Sequence, residues 1–138
     1  MRAKELLMQY RWKLQKVDHT LEEYELYKTR AEKMTSIISD TSSRTNTTSD
    51  KVGDCAVIMA DLSKEYEQRW IEAEHERLRI IDTINALEEP YSRVLFLRYV
   101  RCFDFNKIAE EIGYSLDHTN HLHGIALQKY ERRYKDNG

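Results

Sequence analysis

"FNKIAEEIGYSLDHTNHLHGIALQKY", residues 105–130, holds two helical patterns separated by a glycine. In the first, Ile108, Ala109 and Ile112 recur on one side; in the second, Thr119, Leu122, Ala126 and Tyr130 recur at steps of three and four. Asp104 can cap a helix over 105–112, and Gly113 can end it because glycine accepts the left-handed conformation. Ser115 can then cap a longer helix from 116 to about 134. A short helix, a Gly-x-Ser turn and a longer helix have the spacing of a helix-turn-helix, with the small Ala109 where the two helices would cross. At about 100° per residue, Asp117, His121, Gly124 and Gln128 fall opposite the inward stripe, with Asn120 beside them. His118 lies at the margin of that outer face and His123 near the buried side. These outer residues are the ones free to enter a major groove.

Working outward, "EPYSRVLFLRYVRCFD" (89–104) places Pro90 at the start of a third helical segment, near 91–101, with Val94, Leu95, Leu97 and Tyr99 facing inward. Upstream, Leu7, Tyr10, Leu14, Val17, Leu21 and Tyr24 step alternately by three and four, and Ala31 follows seven later. That is a heptad seam and predicts one helix over 3–36. Met59, Leu62, Tyr66, Trp70, Ala73, Arg77, Ile80, Ile84 and Leu87 predict a second over 51–87, capped by Asp50, with a four-four irregularity at Tyr66–Trp70. Between them "SDTSSRTNTTSD" (39–50) is eight-twelfths Ser or Thr and has no large apolar residue, so it reads as a flexible loop. Two long helices of similar length joined by a dozen residues most simply form an antiparallel hairpin. Such a pair makes a thin core, which a homodimer would thicken; Trp12 and Tyr27 are left over for that seam.

The expectation is therefore an all-α chain: a helical hairpin over 1–89 and a three-helix, helix-turn-helix domain over 90–138. The totals agree with it. The 138 residues include four glycines and one proline, and a third of the chain is charged. No long uncharged apolar run is present, which argues against a membrane span, and "MRAKELLMQYRWKLQK" lacks the pattern of a secretion signal. Cys55 and Cys102 read as reduced thiols packing as small apolar groups in a cytoplasmic protein. Net charge is −2, with ten Asp/Glu against five Lys/Arg over 51–89 and eight Lys/Arg against six Asp/Glu over 90–138. The C-terminal part is thus mildly basic.

Three motifs carry a resemblance. "RVLFLRYV" (93–100) resembles the Arg-x-x-Leu-x-Leu-Arg-Tyr helix of region four, the promoter-reading domain of sigma-seventy-type factors. "FNKIAEEIGYS" (105–115) resembles that family's Glu-Ile-Ala-x-x-Leu-Gly-x-Ser element, and "ALQKY" (126–130) its Ala-Leu-x-Lys-Leu. The match covers 91–134, about a third of the chain. The whole chain also resembles, in architecture and in "MTSIISD" and "LHGIALQKY", a prophage-encoded family of Gram-positive bacteria that includes phage transcriptional regulators. The resemblance implies base-facing positions at Leu116, Asp117, His118, Asn120 and His121. Where sigma factors carry several arginines, this chain has Leu116, His118 and Asn120. Asn can pair bidentately with adenine, and His can donate to guanine or phosphate. Fewer fixed charges imply a weaker reader, one that gains affinity by dimerising or by holding host RNA polymerase.

The expected function is a phage or prophage transcription regulator that binds double-stranded DNA. Asp117, His118, Asn120 and His121 would touch bases, and Lys107, Lys129, Arg132 and Arg133 would touch phosphates, with Arg98 and Arg101 flanking the duplex. Affinity should rise as pH falls from about 7.5 to 6, because imidazolium is the better phosphate partner. A DNA-packaging protein of the small-terminase kind and a protein-only polymerase adaptor are the alternatives. No enzyme, cofactor or metal is expected. His118 and His121 share a side but His123 points about 140° from His118, Glu110 and Glu111 cannot face each other, and no phosphate loop, nucleophile elbow or zinc motif is present.

Overall fold

The computed structural model describes the backbone of residues 2–40 and 46–137 and the side chains of 2–37 and 50–136. All regular structure among these residues is helical. Two long helices, α1 (Ala3–Asp40) and α2 (Asn46–Asn85), precede three shorter segments: α3 (Tyr91–Leu95), α4 (Phe105–Ile112) and α5 (Leu116–Asn137). No described helix is long and apolar enough to cross a membrane.

The long helices overrun their expected ends. Residues 39 and 40 close α1 and residues 46–50 open α2, so these parts of the expected flexible loop are helical; residues 41–45 lie outside the described residues. Asp50, expected as a cap, consequently sits inside α2. Ser and Thr cost a helix interior only some tenths of a kcal/mol each, whereas each residue added to a formed helix gains a backbone hydrogen bond. Composition therefore marked the helix ends poorly.

The chain divides into two compact units, Leu14–Ile71 and a composite of Met1–Lys13 with Glu72–Gly138. Residue 90 marks a change from long to short helices, while the compact units cut both long helices. In the Leu14–Ile71 unit, Val17, Thr20, Cys55 and Leu62 are buried. Thr20 satisfies its hydroxyl by donating to the Lys16 carbonyl at 2.9 Å. Two expected seam residues, Leu21 and Trp70, are exposed. The four-four step at Tyr66–Trp70 breaks the heptad repeat and rotates the apolar stripe, which turns Trp70 out.

The composite unit holds the larger core. Ala3, Leu6, Leu7 and Tyr10 come from α1, and Ala73, Ile80 and Ile84 from α2; Val94, Leu95, Leu97 and Tyr99 are buried with Ile108, Ala109, Leu122, Ala126 and Tyr130. The carboxylate of Glu76 is buried too. It accepts from Lys13 Nζ at 3.1 Å and from Arg79. Burial pushes the Glu76 pKa up, but these two hydrogen bonds and the charges of Arg79 and Lys13 together outweigh burial and hold it below the usual carboxylate range.

After α3 the helix widens into a π turn over Phe96–Val100, where a regular α-helix is expected. The Arg101 N–H reaches back five residues to the Phe96 carbonyl at 3.0 Å, and the Phe103 N–H six residues to the Leu97 carbonyl at 2.9 Å. Cys102, at φ 58°, makes the left-handed reversal between them. This is a helix termination one residue wider than its α-helical counterpart, with a cysteine where glycine usually sits. It delivers the chain to Asp104, whose Oδ1 accepts the Lys107 N–H at 2.8 Å and caps α4.

Candidate nucleic-acid interface

Helix α4 ends at Gly113, at φ 76°. The Gly113 and Tyr114 N–H groups both donate to the Ala109 carbonyl, at 3.0 and 3.2 Å, and satisfy a carbonyl the helix leaves open. Two residues on, Ser115 Oγ accepts the His118 N–H at 3.1 Å and starts α5. The side chain of Thr119 donates to the Ser115 carbonyl at 2.8 Å, so its buried hydroxyl has a partner. Helix α5 packs on α3 and on α4.

The inward stripe of α5 is as its spacing requires: Thr119, Leu122, Ala126 and Tyr130 are all buried. On the other side Asp117, His118, Asn120, His121, Gly124 and Gln128 are all exposed. Twenty-two residues at about 1.5 Å each make α5 roughly 33 Å long, and the six exposed residues lie between its second and thirteenth positions, 117–128. They offer a carboxylate acceptor, two imidazoles and two carboxamides, with a gap at Gly124 where an added Cβ would meet nothing.

The three histidines of α5 go to different surroundings. His118 meets the edge of the Tyr114 ring, centroids 4.7 Å apart, and His121 is exposed. His123 turns inward, its Nε2 lying 2.7 Å from the Tyr99 hydroxyl. Its ring stacks on Tyr99 at 5.7 Å and meets Phe105 edge-on at 4.9 Å. Burial, reinforced by the charges of Arg98 and Lys4, pushes the His123 pKa down to about 4. Burial likewise pushes the Tyr99 hydroxyl up to about 12. Both groups are therefore neutral near pH 7, and the contact is a neutral hydrogen bond joining the π turn to α5. Sequence spacing put His123 near the buried side but gave no sign of its partner.

The expected phosphate-binding cations do not form one group. Lys107 is exposed at the start of α4, its ammonium 4.4 Å from the Phe103 ring centre. The Arg101 guanidinium lies 5.2 Å from the same ring, and Arg98 lies over Phe105 at 4.5 Å while donating to the Phe103 carbonyl at 3.0 Å. Among the described residues no carboxylate pairs with Arg98, Arg101 or Lys107. Lys129, by contrast, is already engaged: it bridges Glu88 at 2.8 Å and sits 4.9 Å over the Tyr91 ring. With Arg132, Arg133 and Asp136 it borders a shallow groove closed by Ala86–Glu88. Relative to Asp117, Arg132 lies about 60° round α5, but Lys129 and Arg133 lie about 120° and 160° round, away from the exposed face. The aromatic rings that hold Arg98, Arg101 and Lys107 were missed in the sequence, although "RCFDFNK" (101–107) sets two phenylalanines between two cations at every second position.

Comparison with known protein families, with curated proteins and with solved structures finds no match to this chain.

Proposed function

We propose that the chain is a DNA-binding transcription regulator of phage or prophage type, in which α4, the Gly113 turn and α5 act as a helix-turn-helix. One observation carries the reading. The residues that spacing assigns to the groove, Asp117, His118, Asn120 and His121, all lie exposed on one capped helix, opposite a fully buried stripe. The unpaired cations Arg98, Arg101 and Lys107 support it, since a groove-reading helix needs phosphate contacts beside it. Lys129 and Arg133 are the weaker members of the phosphate set because Glu88 and the far side of α5 hold them. The long helices α1 and α2 serve as an antiparallel hairpin that sets a homodimer. Exposed Leu26, Val57 and Ile71, in a unit with few buried residues, support this assignment.

The test is a gel shift of the full chain on phage promoter DNA between about 50 and 200 mM salt, a range over which phosphate-dominated binding weakens strongly. The reading expects a shift that weakens with salt and is lost in H118A/N120A/H121A while the thermal melt stays unchanged. No shift at any salt overturns it in favour of a protein-only adaptor. A ring of eight or more subunits in sedimentation would favour a packaging role over regulation.

A further inference from the structure

Large apolar side chains of the segment 91–136 are exposed at three places: Tyr114 (46 %), Leu116 (42 %) and Tyr134 (38 %). Tyr134 stacks on Tyr130 and Tyr114 meets His118 edge-on. Leu116 is different. It is the first residue of α5, where Ser115 already supplies the cap, so helix formation does not call for a leucine there. A first-turn position favours acidic residues, and an exposed leucine gains nothing from the helix dipole.

The neighbours of Leu116 narrow what it can meet. Asn120 lies one turn on, at the i+4 position, on the same side of the helix. It is exposed, and its carboxamide makes no hydrogen bond with the described residues. Asp117, between them in sequence, is exposed and can only accept hydrogen bonds when ionised. Guanine offers two acceptors, N7 and O6, to the major groove, so its edge is repelled by that carboxylate; adenine offers N7 with an N6 donor, and thymine an acceptor with a methyl group.

We infer that the first two turns of α5 select A·T pairs, with Leu116 packing on the 5-methyl group of thymine and Asn120 taking the N6 and N7 of adenine. This rests on the DNA-binding reading above and adds to it the base-pair class and the residue that discriminates. Leu116 is a specificity residue here because it contributes apolar contact alone, and a pyrimidine 5-methyl is the apolar feature of the major groove. The amide of Asn120 commits the site to thymine rather than to 5-methylcytosine, whose partner base is guanine.

The experiment takes the full chain, selects duplexes from a random pool, and then replaces each thymine of the enriched site in turn by deoxyuridine, which removes the methyl group alone. At one thymine or two adjacent ones, affinity should fall about fourfold per methyl, the transfer value of one buried CH₂-sized group. Leu116→Ala should lose the same factor on the thymine duplex and show no further loss on the deoxyuridine duplex, with an unchanged thermal melt. Replacing the paired adenine by 7-deazaadenine should weaken the parent chain and leave Asn120→Ala unaffected. An enriched site indifferent to deoxyuridine at every thymine overturns the inference and leaves the DNA-binding reading standing. So does a Leu116→Ala chain that keeps the full deoxyuridine penalty. Enrichment of no sequence overturns both.

Discussion

Acid should loosen this protein through His123 before its carboxylates titrate. The His123 imidazole has a pKa of about 4 in the folded chain against an ordinary 6.5. Because the folded value is depressed, the unfolded chain binds the extra proton between those two values. Stability is full above pH 6.5 and declines as pH falls toward 4. A difference of about 2.5 units corresponds to at most about 3 kcal/mol, of which about 2 kcal/mol is lost between pH 7.5 and 5. For a domain with about 5–15 kcal/mol in total that is a large fraction. The assay is urea unfolding at pH 7.5, 6.5, 5.5 and 5 for the parent chain and for His123→Gln. The variant keeps Glu74 and Glu76, both held below the usual carboxylate range, so subtraction isolates the imidazole. Tyr99→Phe adds a control. Burial is the largest cause of the depression, so that variant should be less stable at every pH yet keep most of the slope. Parent and His123→Gln curves that run parallel from pH 7.5 to 5 would refute the assignment of a buried neutral ring.

Two further substitutions test the composite unit. Glu76→Gln should cost about 2 kcal/mol in urea unfolding at pH 7, since it removes a buried carboxylate that accepts from both Lys13 and Arg79, and hydrogen bonds to charged groups are worth about 1.5–3 kcal/mol. Cys102→Gly should raise stability by about 1 kcal/mol, seen as a higher melting temperature, because φ 58° is a left-handed conformation that costs a residue with a Cβ about that much.

Legibility in the sequence followed the range of the interaction. The Gly113 stop, the Asp104 and Ser115 caps and the two-sided α5 depend on residues within one or two turns of each other, and spacing alone places them. What depends on distant partners was not visible. Lys129 looked like a free cation until Glu88, 41 residues earlier, took it. The partner of His123, the Tyr99 hydroxyl, lies 24 residues away. The π turn at Phe96–Val100 escaped because its apolar residues fit an α-helical stretch just as well, and nothing in a cysteine advertises a left-handed conformation. The heptads misplaced Trp70 for a related reason: a repeat says which residues could share a stripe, and the four-four step decides where the stripe turns; the exposure of Leu21, in a regular stretch of α1, has no such local cause.

The composite unit also bears on how the chain is made. Leu6, Leu7 and Tyr10 leave the ribosome well before residue 72, yet they belong to a core completed by residues 72 and beyond. Lys13 waits 63 residues for Glu76, roughly 3–13 s at about 5–20 residues per second. Throughout that interval the nascent chain carries a bare apolar stripe with nothing to cover it. A product that stalls before residue 72 would keep the stripe bare, which would make incomplete copies sticky and easy targets for chaperones and proteases.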